Sequence, residues 1–247
     1  MNWVLAPLTF VGESSIIFWD AIRRLFRRPF EFGEVANQIG FVALNSVPIV
    51  ALTTFFSGSV LALYSAEILV RYGASTLAGA TVGLAVTREI APVLAGIMVA
   101  ARCGSTMAAQ IGSMVVTEQV DALRALNVHP TNYLVIPRIV ACVVGVPFLC
   151  LIGCYAGIIG GMILAQTAGV PNQAFLNSLR QFVMPWDIIG GLIKTLFFGL
   201  IIAVVACQQG LRSRDGAVGV GRATTNTVVI SMVLVYAANF VLAAILY

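Results

Sequence analysis

Charge is scarce in this chain. Only 10% of its 247 residues are Asp, Glu, Lys or Arg, whereas soluble domains carry roughly a quarter. With 60% hydrophobic residues and a mean hydropathy of +0.98, the chain has too few solvated groups to stay dispersed in water. Lipid is the solvent that fits. Catalytic signatures are also missing. No GxxxxGK[ST] phosphate loop is present, and neither is HExxH or GxSxG. Histidine occurs once, as His129 beside Pro130, and reads as a loop residue. The five cysteines, Cys103, Cys142, Cys150, Cys154 and Cys207, form no CxxC pair and lie in or beside apolar runs. They read as packing residues, with no metal or disulfide framework. The first 22 residues hold no Lys or Arg, so the basic region of a cleavable signal peptide is not expected. A net charge of +4 is too small to suggest nucleic-acid binding.

What is present is apolar length. Residues 18–28 put Phe18, Trp19, Ile22, Leu25 and Phe26 on one helical face and Asp20, Arg23, Arg24, Arg27 and Arg28 on the other. This pattern predicts an amphipathic helix over 13–30 lying in the membrane interface. Spans are predicted near 40–63, 77–101, 140–164, 186–208 and 224–246. Glu67 and Arg71 are placed in a short loop after the first. The run 72–116 would be about 65 Å long as one helix, roughly twice a bilayer core. One span is therefore placed at 77–101, with the remainder continuing beyond it. Residues 166–185 read as an outer loop with a short helix. The whole chain, 1–247, is one all-α transmembrane domain.

Arginine placement orients the spans. With the amino terminus inside, inner segments hold Arg23, Arg24, Arg27, Arg28, Arg102, Arg124, Arg138, Arg212, Arg214 and Arg222, and outer loops hold only Arg71 and Arg180. This asymmetry predicts a cytoplasmic amino terminus and an opposite carboxyl terminus.

Three constellations stand out. Gly153, Gly157 and Gly161 lie four apart, as do Gly104, Ala108 and Gly112. Such stripes let helices approach closely, either within one subunit or between two. Arg88, Glu89 and Lys194 fall inside predicted spans, where each charge costs roughly 2.5–3.5 kcal/mol. They read either as a polar cavity or relay, or as a structural ion pair of Glu89 with Lys194. The stretch 117–127, between the second and third spans, places Val120, Leu123 and Leu126 on one side of a helix over 118–126. Glu118, Asp121 and Arg124 lie on another. It reads equally as a docking helix for a partner or as a capped connector.

The residues then resemble a known family. Arg88-Glu89-Ile90-Ala91-Pro92-Val93-Leu94 is followed by Ala101-Arg102-Cys103-Gly104-Ser105, Ala108-Ala109-Gln110-Ile111-Gly112-Ser113-Met114 and Thr117-Glu118-Gln119-Val120-Asp121-Ala122-Leu123. Pro130, Tyr133-Leu134-Val135, Pro137-Arg138 and Gly221-Arg222-Ala223-Thr224-Thr225 extend the match. The chain resembles the MlaE/YrbE-type permeases of MCE-associated ABC transporters. That resemblance implies a homodimer in the bacterial inner membrane and a cytoplasmic ATPase pair that holds the ATP and Mg. It also implies an MCE-domain ring on the outer side. The implied cargo is phospholipid, in support of outer-membrane lipid asymmetry, or sterol or fatty acid in some relatives. Related permeases also serve chloroplasts. Thr117, Glu118, Gln119, Asp121, Leu123 and Arg124 would face the ATPase. Arg88, Glu89 and Lys194 would line the lipid cavity, together with Asn239, where some family members carry an acid. No cofactor is expected on this chain itself. The competing reading is an ion-coupled secondary transporter or channel that needs no ATPase.

Overall fold

In the computed structural model, residues 2–25 and 32–247 are described, with side chains over 9–24 and 33–247. The described residues are helical throughout, joined by short turns, and form five segments long and apolar enough to cross a membrane. An amino-terminal helix, α1 (Asn2–Leu25), precedes them. The first span, Gly33–Arg71, comprises α2 (Phe32–Val42), a 3-10 turn and α3 (Val47–Arg71). The second, Ser75–Val116, holds α4 (Ala78–Ala85), α5 (Ala91–Val99) and α6 (Ser105–Val116). A short α7 (Gln119–Ala125) follows. The third span is dominated by α8 (Ile136–Thr167), and α9 (Asn172–Phe182) bridges to α10 (Pro185–Leu211). The chain closes with α11 (Gly216–Leu246). The bundle thus has one end bearing α1 and α7 and an opposite end bearing α9 and Tyr247.

Several boundaries differ from those read in the sequence. As expected for the run beyond 77–101, helical structure continues unbroken to Val116. Two π turns, Val86–Ile90 and Ala100–Gly104, punctuate it. Glu67 and Arg71 are not in a loop. They belong to the last turns of α3 and pair at 2.6 Å with the i,i+4 spacing that a helix favours. The third span starts before residue 140, and Pro137 helps to open it. It sits in the first turn of α8, where its missing N–H costs nothing. The first span is broken at 43–46, just before Pro48 opens α3. Arg102 clasps that break, donating to the Phe41 carbonyl at 3.4 Å and to Ser46 Oγ at 2.9 Å.

The part of the predicted 13–30 helix that holds Phe26, Arg27 and Arg28 lies outside the described residues. The rest is α1. Ile17 and Ala21 pack on Ile111, Val135, Ile136 and Cys207. Ile16, Trp19 and Ile22 are left exposed as an apolar stripe. Asp20 receives a 2.7 Å bond from Arg24 and stands 4.0 Å from His129. Burial opposes its charge, but its hydrogen bonds to Arg24 and Thr131 outweigh that and hold the carboxyl below the ordinary value.

Small residues set the helix spacing. A Cβ on Gly58 of α3 would run into the Gly157 carbonyl of α8, so the two backbones touch. Gly153 faces Thr54 and Ala91, while Gly161 faces Val82. The Gly153/Gly157/Gly161 stripe is therefore used inside one subunit. Gly104 and Gly112 likewise seat against Ile202, Thr227 and Ser213, and Ala108 is buried. On α11, the only buried residues recur every fourth position or so as Gly219, Ala223, Thr227, Ser231 and Val235. The rest of that helix is largely unpartnered.

Gly58→Ala is expected to destabilise the folded chain by about 1–3 kcal/mol through overpacking. Gly12→Ala, with nothing within 4 Å of the added carbon, should leave the melting temperature in detergent unchanged or higher. Thermal unfolding of the two variants side by side checks this.

Candidate functional site

The site begins with Pro92. Proline has no N–H, so the carbonyl four residues back, that of Arg88, cannot receive its ordinary helical bond from residue 92. The helix widens just upstream into the Val86–Ile90 π turn, where Ala91 N–H reaches back to the Val86 carbonyl. Lys194, the only lysine in the chain, enters from α10 and supplies the missing donor. Its Nζ lies 2.9 Å from the Arg88 carbonyl and 2.7 Å from Glu89 Oε1. Asn239 of α11 donates through Nδ2 to Glu89 Oε2 at 2.7 Å. Three spans thus meet on one carboxylate.

A second ion pair adjoins the first. The Arg88 guanidinium donates through Nε to Asp187 Oδ1 at 2.8 Å, and Nη2 lies at the same distance. Asp187 occupies the first turn of α10, where a negative charge suits the helix dipole, and its other oxygen accepts the Met184 N–H at 2.8 Å. Tyr247 closes the group. Its hydroxyl donates to the Asp187 carbonyl at 3.1 Å. Its ring lies 4.5 Å from the Arg88 guanidinium carbon and 5.1 Å from Lys194 Nζ, within range of cation–π attraction. Gly190 and Gly191 make the approach possible. A Cβ on the first would strike Tyr247 Oη, and one on the second would come within 2.7 Å of the Thr87 carbonyl.

Two cations and two anions balance, but their exposure does not. The side chains of Lys194 and Asp187 are 0% and 3% exposed, whereas those of Arg88 and Glu89 are 38% and 43% exposed. The buried members hold the other two, whose guanidinium and carboxylate side chains stay partly open. Counting along the helices, Lys194 is nine residues inside α10 and Asn239 eight residues from Tyr247. Each is about 12–14 Å from that end at 1.5 Å per residue; since both helices are longer than a ~30 Å hydrocarbon core, the two side chains fall inside the core on that side, nearer its boundary than its middle.

The structure brings together all four residues read from the sequence as cavity or relay: Arg88, Glu89, Lys194 and Asn239. Asp187 and Tyr247 were not singled out. The detectable signal for Asp187 was an acid in the first turn of a charge-poor span, with Arg88 needing a counter-ion. Asn239 is neutral, and its buried Oδ1 has no partner among the described residues.

The second candidate region is α7, slightly shorter than the predicted 118–126. Glu118 precedes it with φ 60°, and Asn127 follows it with φ 59°. Both left-handed residues turn the chain sharply, so the helix stands off the bundle. Val120 is its buried anchor. Thr117, Glu118, Gln119, Asp121 and Arg124 are exposed or partly so, and Asp121 pairs with Arg124 at 2.8 Å. Leu123 is half-buried. Leu126 is 73% exposed, so the apolar side is divided between the bundle and the outside.

Because Lys194 has no exposed surface, Glu89→Gln leaves a buried cation short of its counter-charge. It should cost about 3–5 kcal/mol. The double variant Glu89→Gln/Lys194→Met should cost less than the sum of the two single changes. A double-mutant cycle on melting in detergent measures the coupling.

With that geometry in hand, residues 35–245 match the family described as Permease MlaE. A probable ABC transporter permease protein of Rickettsia bellii is 42% identical over 238 residues, covering 96% of this chain and 92% of that protein. One from Synechocystis is 40% identical over 212 residues, 85% of this chain and 81% of that one. The Arabidopsis thaliana protein TRIGALACTOSYLDIACYLGLYCEROL 1, chloroplastic, is 33% identical over 233 residues, 94% of this chain and 67% of that protein. Five apolar spans, charged side chains joined at bilayer depth and these likenesses agree: the chain belongs to the MlaE permease family and is a membrane subunit of an ABC transporter.

Proposed function

We propose that this permease moves phospholipid, with ATP hydrolysis supplied by a separate ATPase pair and the lipid exchanged with an MCE-domain ring on the far side. The observation that carries this reading is the half-exposed Arg88–Glu89 pair at bilayer depth. In an isolated subunit the Glu89 carboxylate would sit inside the hydrocarbon and the Arg88 guanidinium, held by Asp187 and Tyr247, close to its boundary, each at a cost that rises to roughly 2.5–3.5 kcal/mol at full depth. A polar-lined cavity between two copies removes that cost, so the working unit is a homodimer. Inside such a cavity Arg88 offers a guanidinium to a lipid phosphate, and Glu89 offers a carboxylate to an amine. The apolar flanks of α11 then face the acyl chains. Lys194, Asp187, Asn239 and Tyr247 fix the two exposed groups in place. The Arabidopsis relative carries a glycolipid in its printed name, which supports a lipid cargo.

Orientation follows from charge. The α1 end of the bundle carries Arg23, Arg24, Arg124, Arg138, Arg212, Arg214 and Arg222, and the opposite end carries Arg71 and Arg180. The positive-inside rule puts α1 and α7 in the cytoplasm of an inner membrane and Tyr247 on the periplasmic side. The exposed stripe of Ile16, Trp19 and Ile22 suits α1 to the membrane interface. α7 then stands where an ATPase would dock. Val120 roots it, while Glu118, Asp121 and Leu126 meet the partner. Closure of the ATPase pair pushes on α7, and the adjoining second span carries the displacement to the Arg88–Glu89 segment.

Glu118→Lys/Asp121→Lys and, separately, Leu126→Asp should sharply reduce the ATPase that co-purifies with the tagged permease. Undiminished recovery would remove the docking role of α7. In nanodiscs holding the assembled complex, Glu89→Gln/Lys194→Met should lower phospholipid-stimulated ATP hydrolysis about tenfold. Uptake driven by an ion gradient with no ATPase present would instead favour a secondary transporter.

A further inference from the structure

A second polar recess lies at the opposite end of the bundle from Lys194. It is a cavity of about 520 Å³ between α1, the end of α10, the 212–215 connection and the start of α11. Its charged wall holds Arg212, Arg214, Arg222 and Asp215. Arg212 is partly neutralised, standing 3.7 Å from Glu13. Arg214 and Arg222 make no ion pair or side-chain hydrogen bond among the described residues. Asp215 shares the wall without an ion pair among the described residues. Beyond the Arg212–Glu13 contact, two unpaired guanidinium groups and one carboxylate leave the recess with a net positive charge.

The recess is graded along α11. Arg222, Asn226 and Ile230 follow at spacings of four, so they share one face of the helix and step inward from its amino-terminal end. Phe10 of α1 forms part of the facing wall. α11 has 31 residues, about 46 Å at 1.5 Å per residue, and exceeds a ~30 Å hydrocarbon core by some five residues at each end. Arg222 is six residues in and falls at headgroup level. Ile230 lies about 12 Å deeper, among acyl chains. A phospholipid has this same succession of anion, polar glycerol and hydrocarbon, within the same distance. A soluble acidic protein surface has no use for the apolar lower half.

We propose that this recess holds one anionic phospholipid of the leaflet on the α1 side, with its phosphate on Arg214 and Arg222, its ester region by Asn226 and a chain against Ile230 and Phe10. The site is separate from the Arg88–Glu89 pair. Asn226 and Asn239 are thirteen residues apart on α11, about 20 Å. The lipid wedges α1 against α10 and α11, beside the Gln208–Glu13 bond of 2.6 Å that ties α1 to the bundle.

Native mass spectrometry of the whole complex, titrated with phosphatidylglycerol, phosphatidylcholine or inorganic phosphate, tests the proposal. The wild-type chain should retain phosphatidylglycerol in preference to phosphatidylcholine, and inorganic phosphate at millimolar concentration should not displace it. Arg214→Gln/Arg222→Gln should weaken phosphatidylglycerol retention about tenfold or more, given roughly a kilocalorie per basic residue at an anionic surface. Arg214→Lys/Arg222→Lys should restore most of it. Asn226→Trp keeps both arginines but fills the recess, and should also lower retention while leaving the melting temperature in place. Equal retention by every variant overturns the proposal. Displacement by inorganic phosphate overturns it in favour of a free-anion site. Loss of the ATPase with lipid retention unchanged overturns it in favour of a protein-docking surface.

Discussion

A single buried ammonium organises this bundle. Lys194 has no exposed surface, and an unpaired cation at that depth is untenable. Its needs are met by the Glu89 carboxylate and by a backbone carbonyl left vacant by Pro92. The second and fourth spans are thereby fixed in register, and Asn239 draws the fifth to the same carboxylate. A helix defect and a buried charge, each unfavourable alone, satisfy one another. That pairing also determines which charged groups remain partly open: Arg88 and Glu89 are exposed because their partners are not.

Polar contacts recur where the helices depart from regular form. The Val86–Ile90 π turn meets Lys194, and the Ala100–Gly104 π turn carries Arg102 to the break in the first span. Elsewhere the spans are held by close backbone approach, as at Gly58 and Gly157. Irregular backbone in a membrane survives only where side chains or neighbouring helices satisfy it. These two π turns lie in the second span, which leads into α7, and a third, Thr131–Val135, opens the third span beyond it, so α7 is flanked on both sides by points at which a helix bends more readily than elsewhere.

The two ends of the molecule divide the labour. The α9 end is sealed by Asp187, Tyr247 and the Met184 N–H, with few arginines around it. The α1 end is rich in arginine and carries the recess beside α11. A basic rim of this kind keeps a membrane bundle seated against an anionic leaflet.

Much of this was legible in the chain. Apolar length and the scarcity of charge determined an all-α, five-span membrane protein, and arginine placement distinguished its two ends. Arg88, Glu89 and Lys194 drew attention because an ionised side chain within a span must have a partner. Glycines every four residues announced close packing but not its partner, because spacing says how near a helix can come and not which helix comes. Asp187 and Tyr247 were silent for a related reason: they lie 99 and 159 positions from Arg88, and sequence periodicity carries no information across such separations. The sequence alone determined that charges would be buried and that small residues would line the contacts, since transfer free energy depends on residue type. Only the tertiary structure decided which charges pair and which stay exposed, since that depends on where the helix ends converge.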